Sequence, residues 1–175
     1  MDMQDFEAGD LYFDEPLTDE ASRCLDCAAE QYAEGRAERS LMRAYFLEPE
    51  HPMVLVALYR YFYYQHRLEE ALMVAERVLA VFAKRLELPD NWREITELRI
   101  GSGVMISMAL IRFYMLALKG AGYLEFRLGR YDSAIERLEK VAELDSRDRL
   151  GAKSLLSIAR DALGRRAPRT HLSAT

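Results

Sequence analysis

Cysteine, proline and long apolar runs are scarce in this chain of 175 residues, and each scarcity excludes something. Two cysteines, Cys24 and Cys27, cannot build a disulfide framework; they fit a reducing, cytoplasmic setting. Five prolines leave most of the chain free to be helical, and the abundant Leu, Ala, Glu, Arg and Met favour helix over strand. The longest nearly uncharged run, Ile100 to Leu118, contains Arg112 and the polar stretch Gly101-Ser102-Gly103. A membrane-spanning helix needs about 20 mostly apolar residues, so this run reads as a buried core helix. The start of the chain is acidic, where a secretory signal has a basic start and an apolar run. A net charge of −5 argues against a general nucleic-acid binder, which carries a basic face.

What the chain has is apolar content and uneven charge. Half the residues are hydrophobic, enough for one sizeable core. The first twenty residues hold Asp2, Asp5, Glu7, Asp10, Asp14, Glu15, Asp19 and Glu20 and no lysine or arginine. The end is basic, with Arg165, Arg166 and Arg169 close together. The expected division is an acidic flexible arm over 1–17, a helical domain over 18–164 and a basic disordered tail over 165–175.

Hydrophobic periodicity predicts the helices. Thr18 or Asp19 caps a first helix over Glu20–Glu34, ended by Gly35. Glu38–Leu47 returns, and Pro49 and Pro52 separate it from a nearly all-apolar helix, Pro52–Gln65. His66 turns the chain, and Leu68 to Phe82 returns with one apolar stripe. Asn91 and Glu94 fit a capping box before a short helix with Trp92, Ile95 and Leu98 on one face. Gly101-Ser102-Gly103 then reads as a kink or loop before a long helix, Val104–Leu128. Gly129 turns into Tyr131–Leu144, and Arg147–Gly164 closes the array with Leu155, Ile158, Ala159 and Leu163 inward. A polar-faced terminal helix is what a helical array needs at its open end.

Aligning the turn residues Gly35, His66 and Gly129 gives spacings of 31 and 63 residues, near one and two periods of about 34. Small residues follow each turn at the same offset (Ser40, Ala71 and Ala134), and Ala28 and Gly122 occupy a matching small slot on the first helices, where Tyr59 departs. With Gly129, Tyr131, Ala134, Ile135 and Leu138, the stretch Leu118 to Ser146 resembles one tetratricopeptide repeat. It departs at Glu125, where the family usually has an aromatic. Two weaker copies lie upstream. The resemblance implies an all-α solenoid of about three hairpins, plus an inserted helix and a C-terminal capping helix. The size and acidity are loosely similar to small bacterial secretion chaperones with three such repeats.

The resemblance also implies a concave groove lined by the first helix of each hairpin. Its facing positions are Leu25, Ala29, Tyr32 and Ala33; Val56, Arg60, Tyr63 and Tyr64; and Lys119, Tyr123, Phe126 and Arg127. Tyr and Arg are favoured in binding hot spots because they offer large area and directed hydrogen bonds. The set suits a protein or peptide partner with apolar anchors and acidic residues. The competing reading packs these aromatics as core, since large apolar side chains are usually buried. The lysine-arginine-asparagine clamp with which some members of that family hold acidic C-termini is not expected, because Leu25 and Ala29 stand where polar groups would be needed.

No nucleophile–base pair, phosphate loop or metal cluster stands out, so the chain reads as a non-catalytic adaptor or chaperone without cofactor. An alternative is a self-assembling scaffold, such as a homodimer, whose groove is filled by its own acidic, aromatic arm or by another copy. A redox or metal role for Cys24-Leu25-Asp26-Cys27 is weaker: metal needs a second pair or histidines, and both cysteines fall on the apolar side of the first helix.

Overall fold

A computed structural model describes residues 15–32 and 36–166. Ala33 and Gly35, with the expected arm over residues 1–14 and the tail from 167, lie outside the described residues. Among the described residues the protein is all-helical: α1 (Asp19–Glu30), α2 (Ala37–Leu47), α3 (Pro52–Tyr64), α4 (Leu68–Arg85), a 3₁₀ turn (Trp92–Glu94), α5 (Glu97–Ile106), α6 (Met108–Arg127), α7 (Tyr131–Leu144) and α8 (Ala152–Arg166).

Local chemistry fixes the helix ends. The Thr18 hydroxyl accepts from the Ala21 N–H at 3.4 Å, and the Thr18 N–H donates to the Glu48 carboxylate at 2.7 Å. That second bond ties the start of α1 to the end of α2. It also holds the Glu48 carboxyl below the usual carboxylate range. His51 caps α3: its Nδ1 accepts from the Met53 N–H at 3.2 Å, so its Nε2 is the nitrogen that donates to the Glu15 carbonyl at 3.0 Å. Pro52 follows in the first turn, where a missing N–H costs nothing.

Three helices end alike. His66, Glu87 and Gly129 are left-handed at φ 57°, 54° and 76°. The next N–H reaches back five residues in each case: Arg67 to Phe62, Leu88 to Ala83, Arg130 to Glu125. This closure satisfies the last carbonyls of the helix. His66 and Gly129 are therefore equivalent turn residues, as their alignment in the sequence predicts.

Each helix packs on the next: α1 on α2, α2 on α3, α3 on α4, α4 on α6, α6 on α7, α7 on α8. α5 stands off this line and rests on α6. The main core runs through α1 to α7 and includes Leu86, Leu88, Trp92 and Ile95 of the connecting segment. A smaller cluster of Leu138, Leu156 and Ala159 seats α8.

Several expectations are corrected. The first helix ends at Glu30, short of Glu34. Glu15 and Leu17 belong to the folded body, not to an arm: Glu15 pairs with Arg85 at 2.7 Å and Leu17 packs on the core. Trp92 and Ile95 are buried, but Leu98 is 79 % exposed, and only a 3₁₀ turn forms before Ile95. Asn91 does cap that turn, through a bond from the Arg93 N–H, while its amide donates to Glu94. Gly101 and Gly103 lie inside α5. α5 and α6 approach closely at Gly103, where a Cβ would fall 2.5 Å from the terminal methyl of Ile111.

The expected long helix over Val104–Leu128 is two helices. Ser107, extended at φ −161°, ends α5 and caps α6 through a bond from the Leu110 N–H. The last helix starts at Ala152 rather than Arg147. Asp148 and Gly151 are left-handed there, and the Asp145 carboxylate accepts from the Leu150 N–H at 2.7 Å. Ile158 is 49 % exposed instead of inward; Leu156 takes the buried place. Arg165 and Arg166 are helical, not tail.

Candidate functional site

α1, α3 and α6 are the first helices of the three hairpins, and each brings one stripe of side chains to a common side. On α3 the stripe is Val56, Arg60, Tyr63 and Tyr64, spaced at i, i+4, i+7 and i+8. The opposite side of α3 holds the buried Leu55, Leu58 and Phe62. α1 contributes Leu25 and Ala29, and Tyr32 follows just beyond its end.

A cleft of about 530 Å³ opens between α1, α2 and α3, lined by Leu25, Ala29, Tyr32, Arg60, Tyr61 and Tyr64 among others. Five of the expected groove residues thus line one cavity. Tyr32 stands edge-on to Tyr61, with ring centres 6.1 Å apart. Burial and the neighbouring Glu38 push the Tyr61 hydroxyl above its ordinary pKa, so it stays neutral. Tyr32 and Tyr64 keep exposed surface toward the cleft. Arg60 is half-buried and makes no hydrogen bond or ion pair with any described residue.

Beyond Tyr64 the face continues onto α6. Tyr59 and Tyr63 stack at 6.2 Å, and Tyr63 meets Tyr64 edge-on at 5.6 Å. The Tyr63 and Tyr123 hydroxyls are 3.4 Å apart, and Arg127 donates to Tyr123 at 3.0 Å. That bond raises the pKa of an already permanent cation. The result is a row of tyrosines from α1 to α6 edged by guanidinium groups.

Three expected groove residues are placed elsewhere. Lys119 is only 3 % exposed, so it presents no accessible ammonium. Phe126 packs on the cluster under α8 and lies 5.7 Å from the Tyr131 ring. Val56 packs against the core and offers little surface. The two cysteines do not share an environment: Cys24 is buried, while Cys27 is exposed, contrary to the expectation that both pack inward. Among the described residues no group of His, Cys, Asp or Glu has the arrangement of a metal site. None of the described helices is long and apolar enough to cross a membrane.

Two features escaped the sequence reading. One is a buried ion network behind the α6 stripe. Arg137 of α7 donates to Glu125 at 2.9 Å and to Glu76 of α4, and its guanidinium lies 5.1 Å from the Trp92 ring centre. Burial raises the Glu125 carboxyl above its ordinary pKa despite the arginine beside it. Burial likewise keeps the Tyr114 phenol protonated. Glu125 in a slot that resembles an aromatic position was the available signal. The other is an outward groove of about 230 Å³ between α2 and α4, lined by Met42, Tyr45, Met73 and Val74, beside Phe46 at 86 % exposure.

The class of protein is therefore an all-α one, built of helix hairpins packed in chain order with a tyrosine–arginine face on the first helices. No protein-family model matches the chain, and no solved structure matches it. The chain is 51 % identical over 158 residues to the protein described as the uncharacterized 19.8 kDa protein in the nifW 5′ region of Azotobacter chroococcum mcd 1, covering 90 % of this chain and 88 % of that one. The chain belongs to the family of that protein.

Proposed function

We propose that this protein is a non-catalytic adaptor or chaperone that holds a segment of a partner protein along the inner face of α1, α3 and α6. The hairpins are read as degenerate tetratricopeptide repeats. The observation that carries the reading is the cleft of Leu25, Ala29, Tyr32, Arg60 and Tyr64, which joins exposed tyrosine rings to a cation with no described partner. Rings offer contact area at low entropy cost, and arginine adds directed hydrogen bonds. The A. chroococcum relative is named for a position 5′ of nifW, so products encoded around that position are the first candidate partners to test.

The test is co-purification of the tagged protein from its source cells, wild type against the triple variant Y32A/R60A/Y64A. The expected result is a defined partner retained by the wild type and lost with the variant, at unchanged helicity. Equal recovery with both proteins overturns the reading.

Exposed Phe46, Met73 and Met105 favour a second reading, self-assembly through an outer face, because large apolar side chains on a surface mark contact sites. Light scattering separates the two: the adaptor reading expects the oligomeric state to survive F46S/M73S, and the scaffold reading expects it to fall.

A further inference from the structure

The two central helices of the inner face differ in charge from the chain as a whole. α3 contains no acid and one cation, Arg60. α6 contains Arg112, Lys119 and Arg127 and one acid, Glu125, which is turned away into its bond with Arg137. Arg112, Leu116, Lys119, Tyr123 and Arg127 recur at i, i+4, i+7, i+11 and i+15, one stripe of a 3.6-residue helix. The Tyr123 contact with Tyr63 shows that this stripe borders α3. Leu116 and Lys119 of that stripe are buried, so what the two helices present, in a chain of net charge −5, is a strip of Arg112, Tyr123 and Arg127 beside Arg60, Tyr63 and Tyr64, with no acid of α3 or α6 among them.

Residues 1–14 have the complementary chemistry. Asp2, Asp5, Glu7, Asp10 and Asp14 alternate with Phe6, Leu11, Tyr12 and Phe13, and there is no lysine or arginine. Their point of departure is fixed. Glu15 is held by its carbonyl on His51, the cap of α3, and by its carboxylate on Arg85, in the last turn of α4. The same end of the fold holds the start of α6, because Phe82 of α4 packs edge-on against Phe113 at 5.1 Å. Arg112 is therefore at the near end of the strip and Arg127 at the far end. Those 15 helical residues span about 22 Å, whereas 14 extended residues reach roughly 46–50 Å. The segment is long enough to run the whole strip.

We infer that residues 1–14 bind in cis along the α3–α6 strip, so that an acidic, aromatic segment is the ligand class of the face and the chain carries its own competitor. This rests on the reading of the inner face as a peptide site. A tethered segment has an effective concentration on the order of 1 mM, which competes about tenfold against a free peptide of Kd about 100 μM.

The test uses full-length chain throughout. A fluorescein-labelled peptide of residues 1–14 is titrated against the wild type, against F6S/L11S/Y12S/F13S, and against that variant with R60E/R112E/R127E added. The expected result is about tenfold tighter binding to the arm variant than to the wild type, weakened by salt and abolished by the charge reversals. Equal binding to wild type and arm variant overturns the inference. So does an absence of peptide binding while a partner lost by Y32A/R60A/Y64A still binds; that outcome leaves the peptide-site reading standing. If neither peptide nor any face-dependent partner binds, both fail. Photo-cross-linking from Phe13→benzoylphenylalanine in the otherwise wild-type chain gives an independent readout. Adducts to α3 or α6 within a monomer are expected; adducts only between monomers, or none to these helices, overturn binding in cis.

Discussion

The two sides of α6 use the same residue types for opposite ends. Behind the helix, Arg137 sits over Trp92 with Glu125 and Glu76 around it; Arg137 and Glu125 are buried, and Glu76 closes the group at its solvent edge. In front, Arg127 sits over Tyr123 and donates to its hydroxyl, and Arg60 lies beside Tyr64 in an open cleft. In the first place every acid meets a cation. In the second, cations and rings are assembled with no acid from α3 or α6 among them. A closed network locks α4, α6 and α7 together, whereas an open one is available to something else. The contrast separates residues that hold the fold from residues that are free to bind.

The largest expected effect lies in the closed network. Arg137→Ala leaves Glu125 buried without its cation, and breaking such a pair costs about 3–5 kcal/mol. Glu125 already has a folded-state pKa above its ordinary value, so the stability it contributes is present in acid and lost as pH rises through that raised value. Removing Arg137 moves the folded value further up. The R137A deficit, measured by urea denaturation, should therefore be larger at pH 7.5 than at pH 5. A deficit that does not change with pH would break the contrast, because it would mean that Glu125 is not sealed from water.

The next effect is on the crossing that seals it. A Cβ on Gly122 would meet Leu138 and Arg137 at 3.1–3.3 Å, so Gly122→Val should cost about 1–3 kcal/mol by overpacking. The front face should behave otherwise. Y32A/R60A/Y64A should leave the unfolding free energy from urea denaturation within about 0.5 kcal/mol per site, the range of surface changes, while weakening partner binding by about 2 kcal/mol or more. An exposed pair, Arg93 with Glu136, sharpens the lower limit. Glu136→Gln should cost well under 1 kcal/mol at pH 7. Its carboxyl is held below the ordinary range by Arg93, so that small contribution is present above the ordinary pKa and fades in acid. The smallest perturbation is chemical: a thiol reagent under native conditions should modify Cys27 and spare Cys24.

Much of this contrast was legible in the residues. α2, α3 and α7 fall within a residue of the periods that predict them, because each has an apolar stripe, which Pro49 follows on α2 and the left-handed His66 on α3. The five cleft residues follow from the same register. The break at Ser107 was not legible, since apolar periodicity continues across it and the serine reads as one polar residue in a long helix. Gly101 and Gly103 mislead for the reverse reason: glycine marks a turn in most contexts, and here Gly103 lets α5 lie against Ile111. The closed network depends on Glu76, Trp92, Glu125 and Arg137 from separate segments, which no local pattern joins. Lys119 occupies a groove position by spacing, but its depth in the packed array is a property of neighbouring helices.

The most direct test is photo-cross-linking in the source cell from two single positions, Tyr64 on the open face and Ile158 on α8, each replaced by benzoylphenylalanine. The account predicts a discrete partner adduct from position 64 and none from position 158. An adduct from position 158 alone, or the same adducts from both, would contradict it.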